Sequence, residues 1–187
     1  AGDIKIWDAN GDGEINSLDR IRQDLTDIPQ IVYGVNLGIT WKQFDLSLLF
    51  QGQAKVINTI QETWVDPSSG GAGNLMQWWT EDMWTPENTD GTKPRLGTPN
   101  KINGTTFTNI NAAFFKLKNA EIGYTLPVAV REKIGVANAR VYLSGTNLFS
   151  FDHMRGMGID PEATGSGYGG WALNPQRLIN LGVNVSF

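Results

Sequence analysis

The run "DANGDGEINSLD", Asp8 to Asp19, places oxygen-bearing side chains at loop positions 1, 3, 5, 9 and 12 and a glycine at position 6. Calcium takes several hard oxygen ligands at about 2.3–2.6 Å and needs a glycine where the loop bends sharply. Asp8, Asn10 and Asp12 supply side-chain oxygens, Gly13 the bend and Glu14 a backbone carbonyl. Asn16 contributes directly or through water, and Asp19 closes the loop. A sensor EF-hand carries a bidentate Glu at the twelfth position between two amphipathic helices. Here that position is Asp19, the upstream "GDIKIW" alternates like a strand, and Pro29 follows shortly after. The pattern fits a structural calcium staple rather than a switch. The same residues read equally as Asx turn formers that cap their own backbone.

A second group lies in "QWWTEDMWTPENTD", where Trp78, Trp79 and Trp84 stand beside Glu81, Asp82 and Glu87. Aromatic faces flanked by carboxylates are what a sugar-stacking site uses, and paired carboxylates also equip glycosidases. A glycosidase pair needs a dry concave pocket to split its two pKa values, and the sequence indicates none, so no catalysis is expected. The alternative is that these tryptophans pack a long loop or touch a partner lid. Tyr168 and Trp171, in the glycine-rich "GSGYGGW", join them as ligand or lid contacts. That stretch neither follows a strand nor opens a helix, so it is no phosphate cradle. Cysteine is absent and His153 is the lone histidine, which excludes disulfides and Cys- or His-rich metal sites.

The elements that would position these groups are strands. In "YGVNLGITW" and "FDLSLLFQ" apolar residues alternate with Gly, Asn, Ser and Thr, and "KQ" between them makes a tight hairpin turn. In "AFFKLKNAEIGYTLP" the apolar parity switches between Leu117 and Ala120, which requires a β-bulge near Lys118–Asn119. "ARVYLSGTNLF", with Val141, Leu143 and Phe149 on one face, and "RLINLGVNVSF" complete the set. The expected strands are 31–41, 43–52, 112–126, 138–150 and 177–187. Each is long for a globular strand, which averages about 5–6 residues, and near the length that crosses a bilayer at a tilt.

Long segments (1–30, 53–111 and 151–176) alternate with short turns, so the long ones share one end of the sheet. A barrel in an outer membrane shows that asymmetry, whereas a compact soluble domain does not. Trp41, Phe44, Tyr124 and Phe187 fall near the short-turn end, where an aromatic girdle belongs. No apolar run is long enough for a spanning helix, and no basic-then-apolar leader opens the chain. The 187 residues carry a net charge of −4 with scattered basic residues, which argues against a nucleic-acid partner. The 22 glycines and seven tryptophans are high for a soluble domain of this size.

The blocks "GDIKIWDANGDGEINSLDR", "PQIVYGVNLGITWKQFDLSLLFQG", "FFKLKNAEIGYTLP", "ARVYLSGTNLFSF", "GIDPE" and "LGVNVSF" resemble, in order, the C-terminal part of SusC/RagA-type TonB-dependent outer-membrane transporters. The resemblance implies an all-β fold, about five antiparallel transmembrane strands of a barrel of roughly 22, with long extracellular loops in a Gram-negative outer membrane. It implies as partners the rest of the barrel, its plug domain, a SusD-like surface lipoprotein and, through the absent N-terminal part, TonB. The cargo it implies is an oligosaccharide or a peptide. Asn36, Asp45, Lys116, Glu121 and Asn180 would then face the barrel interior. The rival reading is a soluble, calcium-stabilised β-sandwich carbohydrate-binding module, which would stay monomeric without detergent. A secreted glycoside hydrolase domain, dependent on Glu81 or Asp82, is a further rival.

Overall fold

A computed structural model describes residues 1–60, 75–96, 104–162 and 174–187. Its strands are β1 (Ile31–Trp41), β2 (Phe44–Ala54), β3 (Ile57–Thr59), β4 (Asn109–Asn111), β5 (Phe114–Thr125), β6 (Asn138–Asp152) and β7 (Leu178–Ser186). Its helices are α1 (Gln77–Thr80) and α2 (Val128–Ile134). The chain divides into a sheet unit (30–54, 113–152 and 174–187) and a loop unit (1–29, 55–112 and 153–173).

In the sheet unit five strands pair antiparallel in the order β1-β2-β5-β6-β7. Alternation fixes this arrangement, because only one register keeps every apolar residue on the same side. Leu37 lies opposite Leu48, Leu48 opposite Ala120, and Gly145 opposite Ile179. Phe44 likewise aligns with Tyr124, Tyr124 with Val141, and Val141 with Val183. Much of the resulting apolar face is exposed, most of all on the outer strands: Ile39 is 61%, Leu181 76% and Val183 61% exposed. In water such a surface would be covered, so its exposure is what lipid contact requires.

The strands keep pairing slightly differently from the alternation alone. β2 runs on to Ala54 because Gln53 and Ala54 still bond to Val32 and Ile31. β5 starts only at Phe114, since the amide of Ala112 donates instead to the Val56 carbonyl (3.1 Å) within the loop unit. The parity switch in β5 resolves into two steps. Lys118 is one extra residue in β5 relative to β2, between the pairs Leu49–Asn119 and Phe50–Leu117. Asn147 and Leu148 then oppose that single residue from β6. Asn147 takes a φ of +53°, a left-handed conformation that asparagine tolerates better than most residues. The steps return Phe149 to the apolar face, 6.5 Å from the ring of Phe50.

Two short connections lie at one end of the sheet. Lys42, at φ +55°, turns β1 into β2 and sets its ammonium 4.7 Å from the exposed Trp41 ring. β5 passes to β6 through α2, which ends on Gly135 in the left-handed conformation. The long segments leave from the other end, at Ala54 and Asp152.

The loop unit has a small core of its own. Trp79 and Ile60 are buried, with Trp78, Phe107, Ile110 and Met157 packed around them. Val56, Ala112 and Met154 form a second fully buried group. The stretch 53–111, read as loop throughout, therefore contains α1 and the β3–β4 pair. Two three-residue strands carry too little alternation to be seen in sequence.

Candidate functional site

The polar face of the sheet carries an organised charge cluster. Arg140 on β6 reaches over β5 to Asp45 on β2, donating from Nε to Oδ1 at 3.0 Å and from Nη2 to Oδ2. The same Nη2 donates to Oε1 of Glu121 on β5 at 2.7 Å. Gly123 lies beneath the guanidinium, and a Cβ there would collide with it. The Arg140 guanidinium also sits 5.2 Å from the Tyr142 ring. Three strands are thus strapped by one side chain on the face expected to meet water. Asn36, Asp45, Lys116, Glu121 and Asn180 share this face by register, and Lys116 is 2% exposed. Arg140 was missed in sequence, although it has the parity of Tyr142 and Ser144, opposite to that of Val141.

In the N-terminal loop, the six residues considered as metal ligands are organised by backbone amides. Asp8 Oδ1 accepts from Gly11 N at 2.7 Å and Oδ2 from Gly13 N at 2.8 Å. Asn10 Oδ1 accepts from Asp12 N and Asp12 Oδ1 from Glu14 N, at 2.9 and 2.8 Å. Asn16 caps a short turn at Ser17–Asp19 by accepting from Leu18 N (2.8 Å). Asp19 closes the loop by accepting from Asn16 N (2.7 Å) and Ala9 N (2.9 Å). The Asn16 amide is the main reason that the Asp19 carboxyl lies below the usual carboxylate range. Among the described residues no group of three or more Asp, Glu, His or Cys side chains is gathered tightly enough to hold a metal ion. The donors are all hard oxygens, the chemistry that calcium takes.

The tryptophan-rich stretch separates into different roles. Trp79 is 4% exposed and meets Phe107 edge-on at 5.8 Å. Trp78 packs edge-on against Trp79 at 5.5 Å. Trp84 instead lines a cleft of about 360 Å³ with Gly2–Lys5, Gly91–Pro94 and Phe107. The nearby carboxylates serve the fold. Glu81 accepts from Gln77 Nε2 at 2.7 Å. Asp82 accepts from the Thr92 hydroxyl and amide, which hold its carboxyl below the usual range with help from Lys93. Tyr168 and Trp171 lie outside the described residues.

Comparison with known proteins extends these observations. No family model matches the chain. Two curated proteins of Formosa agariphila do, each along nearly the whole chain. TonB-dependent receptor P26 is 30% identical over 200 residues, covering 100% of this chain and 20% of the relative. TonB-dependent receptor P3 is 31% identical over 199 residues, covering 96% of this chain and 18% of the relative. Among solved structures, the RagAB peptide importer in its open-open state superposes with a TM-score of 0.72 at 27% identity. That match spans 93% of this chain and 19% of the other. A structure of the RagAB peptide transporter gives 0.65 at 28% identity, over 81% and 17% of the two chains. These likenesses support a segment of a SusC/RagA-type TonB-dependent transporter. The chain spans about a fifth of the length of the relatives it matches. The five-stranded sheet matches part of the RagA barrel fold and is open, with β1 and β7 at its edges. Its relatives are receptors and importers rather than enzymes, which agrees with carboxylates engaged in local structure.

Proposed function

We propose that this segment forms part of the wall and outer loops of an outer-membrane importer that draws a peptide or oligosaccharide into the cell with energy delivered through TonB. The observation that carries the reading is the exposed apolar face backed by a polar one. Eleven residues of strand at about 3.3 Å each, tilted near 45°, span about 25 Å, the height of the apolar band of outer-membrane barrels. The long segments at one end of the sheet are the extracellular side, and a SusD-like surface lipoprotein closes over them. The plug and the contact with TonB come from the rest of the polypeptide. The similarity to a protein named a peptide importer favours peptide cargo.

Topology is tested with single cysteines in an otherwise cysteine-free full receptor on intact cells. Ser17→Cys should react with a membrane-impermeant maleimide, while Lys133→Cys should react only after lysis. The reverse pattern would overturn the orientation, and equal labelling of both in a soluble fraction would favour a soluble module. Uptake should require the receptor gene and stop when the proton gradient across the inner membrane is collapsed.

We also propose that calcium tightens the N-terminal turn through Asp8, Asn10, Asp12 and the Glu14 carbonyl, with Asn16 and Asp19 closing it. Trp7, 71% exposed, adjoins Asp8 and serves as an antenna. Terbium added to the intact receptor should show tryptophan-sensitised emission that calcium displaces and Asp8→Asn with Asp12→Asn abolishes. Emission unchanged by the double variant would leave the Asx network alone as what fixes the turn.

A further inference from the structure

We infer that the cleft between the N-terminal segment and the Trp84–Pro94 fold-back is a subsite for a carboxylate-bearing part of the cargo. The inference rests on the importer reading for the ligand's being cargo, and on the cleft itself for its chemistry. At about 360 Å³ the cleft falls in the range of small-ligand sites and suits one residue-sized group. Its walls are fixed by the backbone. Arg95 N donates to Gly2 O at 2.9 Å, Trp84 N to Lys93 O at 2.8 Å, and Lys93 N to Asp82 O at 2.9 Å. Gly2 is needed at this point, because its φ is +82° and a Cβ would lie 2.6 Å from the Trp84 ring.

The charges decide what the cleft prefers. Asp3 is matched by Arg95, which donates to both of its oxygens at 3.1 and 3.3 Å. Asp82 accepts from Thr92 and keeps its negative charge, which offsets one of the cleft's two lysines. Lys93 extends its ammonium over the faces of Trp79 (5.7 Å) and Phe107 (6.0 Å). Ring faces attract a cation without taking up its N–H donors; one of the three donates to the Thr92 hydroxyl oxygen at 3.4 Å, and the others stay available to an anion. Lys5 is exposed on the opposite wall. Among the described residues neither Lys5 nor Lys93 has a carboxylate within 4.0 Å. In a chain of net charge −4, this cleft therefore carries a positive excess of one, beside an indole that a planar or pyranose surface can cover. Lysine ammonium groups act on an anion as point charges, and a single excess charge matches a monoanion such as a carboxylate. The aromatic stretch that in sequence seems set among carboxylates thus presents lysines to its cleft.

Two kinds of cargo supply a carboxylate, a peptide and a uronic-acid oligosaccharide. The experiment uses the intact purified receptor at low salt and reads binding by calorimetry with tryptophan fluorescence. The ligands are a short peptide with a free C-terminal carboxylate, the same peptide amidated, a diuronate and its methyl ester. At least one acid should bind about fivefold to tenfold more tightly than its neutral counterpart, and which one does so identifies the source. Lys5→Met with Lys93→Met should bring the acid down to the affinity of its neutral counterpart measured on the same variant, while Lys93→Arg should retain the preference. Acid and neutral forms of both pairs binding alike would overturn the subsite, as would a preference unaltered by the double variant. Uptake by cells is read separately. Uptake without acid preference overturns the subsite alone, and acid preference without uptake overturns the importer reading instead.

Discussion

Replacing Arg140 with methionine would leave Asp45 and Glu121 as neighbouring carboxylates without a counter-charge. The three side chains are between one fifth and two fifths exposed, so solvent softens the penalty. The expected loss is about 2 kcal/mol in urea unfolding of the lipid-embedded receptor. Gly123→Ala should cost a comparable amount, since its Cβ displaces the guanidinium. On the Arg140→Met background it should cost almost nothing, and a double-mutant cycle that instead comes out additive would show that glycine and arginine do not share one site. A second residue-scale prediction concerns Asp19. Its carboxyl titrates lower in the folded loop than in the unfolded chain. Its contribution is therefore complete above the unfolded value near 4 and is lost as pH falls through the folded one. Trp7 emission should change on acidification below about pH 4, and Asp19→Asn should remove that change and loosen the turn at neutral pH. The turn residues were legible in sequence because Asx side chains act on amides only a few residues away. Arg140 was not, because its partners lie 95 and 19 residues distant and only register brings them together.

At the scale of elements, the informative feature is the stepwise gain of a residue across β2, β5 and β6. Deleting Lys118 would make β5 regular and turn Ala120, Ile122 and Tyr124 toward the polar side, or Phe115 and Leu117 if the other half slips. The expected result is a receptor that fails to reach its compact, heat-modifiable form on gels, whereas Lys118→Ala should assemble normally. Equal assembly by both would show that the sheet absorbs the missing residue some other way. The bulge could be anticipated because an apolar parity switch inside one strand has few remedies. Its echo at Asn147–Leu148 could not, because two added residues in β6 leave the alternation intact. The β3–β4 pair and α1 were hidden for a different reason. Their stability comes from the small core around Trp79 and from distant pairing, and three- or four-residue elements leave no period to detect.

For the molecule as a whole, the distribution of apolar surface is the decisive property. Leu181→Arg, in the middle of β7 on the exposed apolar face, should cost about 2–4 kcal/mol and lower the amount of receptor assembled in the membrane. Asn180→Arg, on the opposite face of the same strand, should be tolerated. If Asn180→Arg proved the more damaging, the inside and outside of the wall would have to be exchanged. The face assignments were readable because alternation persists over strands of nine to fifteen residues. The cleft beside Trp84 was not readable, since it depends on the N-terminal residues lying against a segment some ninety positions away. One property of the sheet carries further. Its spatial order follows the chain, and the excursions between strands return to the neighbouring position rather than crossing over. Such a meander can widen by duplicating one hairpin without rethreading any other connection. Pore circumference would then change in steps of two strands over evolutionary time, while every existing neighbour keeps its partner.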